Sequence, residues 1–246
     1  LEAGVIRAAS RRDDGTWHVH TEVKQAILVC FRLGRIEPSA AGPLSFSDKD
    51  TVGPQHDAWA DRGVRVVPGG SSIRRGAHIG ARVTCMPPMY INVGAYVDDE
   101  TMVDSHALVG SCAQIGRRVH LSAGAQIGGV LEPVGMRPVV IEDGVLVGGN
   151  TGVYEGTLVR QGAVLGAGVI LTASTPVYDL VNERVIRAAA GEPLEIPANA
   201  VVVPGSRPVT SHPFAAHHGL HVHAPMIVKY RDGSTDLRTV LEEALR

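Results

Sequence analysis

INVGAYVDDETMVDSHALVGSCAQIGRRVHLSAGAQI, residues 91 to 127, carries an apolar residue at every sixth position: Ile91, Val97, Val103, Val109, Ile115, Leu121 and Ile127. The register extends backward through Cys85, Ile79 and Ile73. It resumes beyond an interruption at Ile141, Val147, Val153, Val159, Leu165, Leu171 and Val177. The interrupting segment is VLEPVGMRPV, residues 130 to 139, and the 14-residue step from Ile127 to Ile141 reads as two residues added to the period. No helical pattern separates the anchors, which argues against a doubly wound sheet.

Glycine follows many anchors directly, as at Gly80, Gly110, Gly116, Gly128, Gly148 and Gly166. Elsewhere it stands three places after one, as at Gly76, Gly94, Gly124, Gly144, Gly156, Gly162 and Gly168. Small or β-branched residues two before the anchor, such as Ala77, Thr101, Ala107 and Ala163, also point inward by period-two alternation. Each hexad therefore reads as a short strand and a turn. Three hexads closing a triangular coil would stack every eighteenth residue, with rungs about 4.8 Å apart. The period leaves the hand of the coil open.

The flanks lack this pattern. Residues 1–66 are expected to form an amino-terminal α/β region and connector, with a short helix around Thr21 to Cys30, a strand after it, and connecting surface from Ile36 to Thr51. The repeat is assigned to residues 67–178, with residues 130–139 as an insertion loop, and 179–246 to a carboxy-terminal cap. In that cap AVVV and MIVKY (226–230) read as apolar strands, and RTVLEEALR (238–246) as a terminal helix. The start at Leu1, with no methionine, predicts that an amino-terminal piece is absent.

Composition narrows the function. The 246 residues hold 29 glycines but only 2 Trp, 5 Tyr and 3 Phe, which suits a narrow aliphatic core. A net charge of -2 gives no reason to expect a nucleic-acid partner. No segment has the uninterrupted apolar length of a membrane span, and the first residues lack the order of a signal peptide. Cys30, Cys85 and Cys112 cannot all pair and lack metal-motif spacing, so a reduced, cytoplasmic protein is expected.

GVRVVPGGSSIRRGAHIG from Gly63, the run from MPPMYINVG through TMVDSHALVGSCAQIG and GGVLEPVG to EDGVLVGG, and IPANAVVVPGS resemble the tetrahydrodipicolinate N-succinyltransferase family across about residues 63 to 207. The resemblance implies an all-β solenoid: a left-handed parallel β-helix of hexapeptide repeats with small flanking α/β segments. It also implies a homotrimer with intersubunit active sites that binds acyl-coenzyme A. In that family an amine from an opened cyclic imino-dicarboxylate attacks the thioester of succinyl-CoA, so a proton must leave nitrogen and an oxyanion must be stabilised.

The resemblance maps the family's catalytic acid onto Asp104 of MVDSHA, with His106 able to assist. It places Gly152 of GGNTGVYEG where members commonly carry a glutamate, and Asn150 where an arginine is familiar. Gly152 is open to three readings: a harmless substitution, an altered amine pocket, or lost catalysis. Arg117, Arg118, Arg137 and Asn150 are the candidates for the acceptor. Gly148, Gly149, Gly166 and Ala167 could hold pantetheine by their backbone, and Arg207 or Lys229 could meet coenzyme A phosphates. His212, His217, His218, His221 and His223 form a histidine-rich stretch, but no Cys or acidic residue completes a metal-ligand pattern there, and acyl transfer needs no metal.

Succinyl-CoA and acetyl-CoA remain open as donors. The acetyl alternative resembles the N-acetyltransferases of tabtoxin-type biosynthesis. A catalytically impaired trimeric binding protein is the reading from another class, and a sugar-nucleotide acyltransferase fits the quoted segments less well.

Overall fold

The computed structural model describes residues 1–56 and 59–232. Hexads fold into two-residue strands, and successive strands fall on three different parallel sheets. Val97 pairs with Ile115, Val103 with Leu121 and Val109 with Ile127, each eighteen residues on. The three faces of the prism are named here by Val103, Val109 and Ile115.

Every anchor from Ile73 to Val177 is buried in one continuous core. The inward residues two places earlier are small because three strands converge on a narrow interior; Ala77, Ala95, Ala107, Ala113, Ala125 and Ala163 belong to the same core. Each buried Val or Ile contributes about 1.5–3 kcal/mol of transfer free energy, which replaces aromatic bulk by repetition. The residue three after an anchor turns the corner with positive φ. Glycine suits that position at Gly124 (φ 71°), but His106, Arg118 and Asn150 adopt it too, with φ of 61°, 51° and 53°.

The interruption is larger than its spacing suggests. Ile115 pairs with Ile141 and Ile127 with Val153, each twenty-six residues on, so the corner after Ile127 holds eight extra residues rather than two. The ladder also passes both expected bounds. Arg65–Val66 pairs with Thr84–Cys85, while Glu195–Ile196 and Ala200–Val203 stack on Leu158–Val159 and Val164–Leu165. Met226–Tyr230 is a strand, as MIVKY suggested, and runs antiparallel to Ala200–Val203.

The amino-terminal segment covers one face and one edge. Arg7 lies over the Tyr96 ring (3.5 Å) and donates to Gln114, and the Trp17 indole donates to the buried Glu142; Tyr96 and Gln114 stand on the outside of the Ile115 face, and Glu142 at the corner just past its anchor Ile141. Helix α1 (Thr21–Leu33) packs Val23 and Ile27 against Val93 and Cys112 at the edge between the Val109 and Ile115 faces. The stretch expected to be connecting surface is instead a hairpin of Ile36–Ala41 and Leu44–Lys49. Its alternation is short and polar, so the strand signal was masked by Pro, Gly and Ser. The proposed terminal helix at 238–246 lies outside the described residues. Among the described residues no helix is long and apolar enough to cross a membrane.

Candidate active site

The edge where the Val103 face turns into the Val109 face gathers most of the sequence candidates. Corner hydrogen bonds stack it coil on coil: Gly124 N–H donates to Ser105, Asn150 N–H to Ala123 and Gly168 N–H to Gly149. Asp104, Ser122, Gly148 and Gly166 thus occupy one column, each one residue past an anchor. His106, Gly124, Asn150 and Gly168 occupy a second. From Gly166 to Asp104 is three rungs, about 14 Å.

Asp104 is held at both ends. Its N–H donates to the Leu121 carbonyl (2.9 Å), and its Oδ1 accepts the Ser105 N–H at 2.7 Å. Its Oδ2 faces His120 Nε2 at 3.9 Å, with the two side chains 31% and 36% exposed. Sequence reading missed His120. The signal was its place just before an anchor, outward on the same face and one coil after Asp104. His106 shares the edge, but no ion pair or hydrogen bond joins it to Asp104 among the described contacts; its carbonyl accepts from Gln126.

Next along the edge, Gly152 is buried, and a Cβ there would stand 2.4 Å from Cε2 of Tyr154. The aromatic ring therefore takes the space that a side chain at 152 would enter. The directly anchored glycines have another physical reason. A Cβ on Gly148 would meet the backbone nitrogen of Ala167 at 2.5 Å, so coils could not close at their spacing.

The N–H two places after an anchor is taken by a carboxylate at some corners: Asp143 accepts from Arg117, Glu142 from Gln161 and Glu155 from Ala173. With Ser122, Gly148 and Gly166 as the preceding residues, the N–H groups of Ala123, Gly149 and Ala167 have no protein partner among the described residues. A row of outward N–H donors can receive carbonyl oxygens or an oxyanion.

The arginines lie elsewhere. Arg117 pairs with Asp98 (3.5 Å) and Asp99 (3.9 Å), and Arg118 follows it, on the edge between the Ile115 and Val103 faces. Arg137 sits in the insertion, where its guanidinium donates to the Gly156 carbonyl and burial lowers its pKa. None of the three joins Asp104 within one chain. Arg207 is exposed on the hairpin of Ser206–Pro208 and His221–His223. Lys229 lies beside Val201 at the top of the Val103 face. His221 meets Ser206 Oγ and His223 meets the Ile170 backbone; among the described residues no three His, Cys, Asp or Glu are grouped to hold a metal.

Two family models match the chain, the tetrahydrodipicolinate N-succinyltransferase N-terminal region over residues 1–33 and the hexapeptide repeat of succinyl-transferase over 138–173. The 2,3,4,5-tetrahydropyridine-2,6-dicarboxylate N-succinyltransferase of Acinetobacter baylyi is 41% identical over 249 residues, covering 100% of this chain and 86% of that protein. Its namesake from Polynucleobacter asymbioticus is 43% identical with the same coverage of each. A solved Campylobacter jejuni structure, titled a putative 2,3,4,5-tetrahydropyridine-2-carboxylate N-succinyltransferase, shares the fold. It has a TM-score of 0.51 at 18% identity, over 90% of this chain and 56% of that one.

Proposed function

This chain belongs to the tetrahydrodipicolinate N-succinyltransferase family, and from that premise we propose that it acylates the amine of opened tetrahydrodipicolinate at the edge carrying Asp104. The enzyme is an acyltransferase and draws on an acyl-CoA donor, which we take to be succinyl-CoA. The single observation carrying the assignment of the site is that Asp104 stands in a column whose next coils present N–H groups with no protein partner among the described residues.

The chemistry follows from that placement. The acceptor nitrogen attacks the thioester carbonyl carbon; a C–N bond forms, the C–S bond breaks, and coenzyme A leaves as a thiol. Asp104 takes the proton that nitrogen loses, and that proton goes on to the departing sulfur. A carboxylate with one oxygen tied to Ser105 keeps the other in a fixed direction. The N–H groups of Ala123, Gly149 and Ala167 bind pantetheine carbonyls and the developing oxyanion.

The amino-terminal segment covers the Ile115 face, while the edge carrying Asp104 lies between the other two. In our reading the coil is left-handed, three copies assemble, and this edge becomes an intersubunit cleft. Arg117, Arg118 or Arg137 of another copy would then meet the acceptor's carboxylates, which explains their distance from Asp104 within one chain. Three free cysteines support a reduced, cytoplasmic setting; burial raises the Cys85 and Cys112 thiols to about 12 and about 11.

Thiol release from succinyl-CoA and acetyl-CoA, each with and without tetrahydrodipicolinate, tests the reading. Acceptor-dependent release from succinyl-CoA supports it. Preference for acetyl-CoA would redirect the donor, and coenzyme A binding without turnover would favour the impaired binding protein that Gly152 suggests.

A further inference from the structure

We infer that His120 is a positioning residue for acyl transfer, acting through Asp104. The inference rests on the functional reading above. His120 opens a two-residue strand, His120–Leu121, whose register sets it between Met102 and Leu146 on the outside of the Val103 face. Its backbone is fixed by a hydrogen bond from its N–H to the Val145 carbonyl (3.0 Å). The ring nitrogen Nε2 is closed off from solvent and has no hydrogen-bond partner among the described residues. Among the described residues Asp104 is the acid within ion-pair distance, its Oδ2 3.9 Å away.

An orphaned ring nitrogen costs free energy unless something repays it. Here the geometry supplies the reason. Asp104 Oδ1 is committed to Ser105, and Oδ2 is the oxygen left to work. A modest approach of the two side chains joins Nε2–H to Oδ2, and catalytic contacts are commonly longer before substrate binds. With one donor held on each oxygen, the lone pair left on Oδ2 keeps a fixed direction toward the acceptor amine. When the amine attacks the thioester carbon, its proton passes to Asp104 while His120 holds the carboxyl in place. The proton then moves to the sulfur as the C–S bond breaks. His106, three residues from the anchor at a left-handed corner, has no such contact with Asp104.

The test is a double-mutant cycle on the full chain, using His120→Asn, His120→Phe, Asp104→Asn and His120→Asn with Asp104→Asn. Thiol release with succinyl-CoA and tetrahydrodipicolinate gives kcat and KM separately. We expect His120→Phe to lower kcat at least about 10-fold with the succinyl-CoA KM within about twofold, and His120→Asn, which keeps a donor, to recover part of the loss. The double variant should be no slower than Asp104→Asn alone, because the residues act as one unit. His120→Phe with unchanged kcat, or losses that multiply, would overturn the inference.

Wild-type protein that gives no turnover would mean that the functional reading had failed. The pairing is then read by nitrogen-15 NMR of the histidine rings in the same protein. A His120 Nε2–H signal that is protected from exchange, and lost in Asp104→Ala, upholds the contact; a signal indifferent to Asp104→Ala overturns it.

Discussion

Tyr154 lies over Gly152: a Cβ at position 152 would stand 2.8 Å from the tyrosine hydroxyl oxygen and 2.4 Å from Cε2. The two positions are therefore sterically coupled. A side chain at 152 must displace the ring, and a retained ring forbids the side chain. Gly152→Glu alone should lose about 1–3 kcal/mol of stability by overpacking. Combining it with Tyr154→Ala should recover most of that loss, as non-additivity in denaturant unfolding. Additive effects would mean that the ring yields without cost.

Asp104→Asn keeps an oxygen for the Ser105 N–H but removes the base we propose. It should reduce kcat by about 100-fold or more while changing stability by less than about 0.5 kcal/mol. Steady-state thiol release, paired with a melting curve, checks both halves.

Asp179 caps the solenoid chemically as well as physically. Burial pushes its carboxyl up, but hydrogen bonds from Asn182, Tyr230 and Arg184 outweigh that and hold it at about 2, below the ordinary 3.8. A lowered folded-state pKa means that its contribution is whole above pH 3.8 and is lost as the pH falls toward 2. The stability advantage of the native chain over Asp179→Asn should therefore be constant near neutrality and shrink through that acid window, as followed by unfolding against pH.

Lys24, fully buried on α1, donates from Nζ to the carbonyls of Met136 (2.8 Å) and Pro133 (3.2 Å). The helix thus pins the insertion loop. Lys24→Met leaves both carbonyls without this donor and should cost about 2 kcal/mol. Amide exchange should quicken in residues 130–139 before it does in the coils.

The anchors from Ile73 to Val177 were legible because each hexad repeats the same burial problem, and one residue per turn solves it. The size of the insertion was not, since spacing alone cannot tell an enlarged corner from a longer period. Pairing of Ile115 with Ile141 decides it. Asp104 stood out through its motif, whereas His120 did not, because its meaning lies in the next coil. Reading the period as eighteen rather than six stacks residue 120 on 102, which sets His120 one coil from Asp104.

The most direct test of the account is the mass of the product formed from tetrahydrodipicolinate and isotopically labelled succinyl-CoA. The account predicts an acceptor carrying one labelled succinyl group on nitrogen, appearing in step with free coenzyme A. An unmodified acceptor in the presence of folded enzyme, or thiol release that ignores the acceptor, would contradict it.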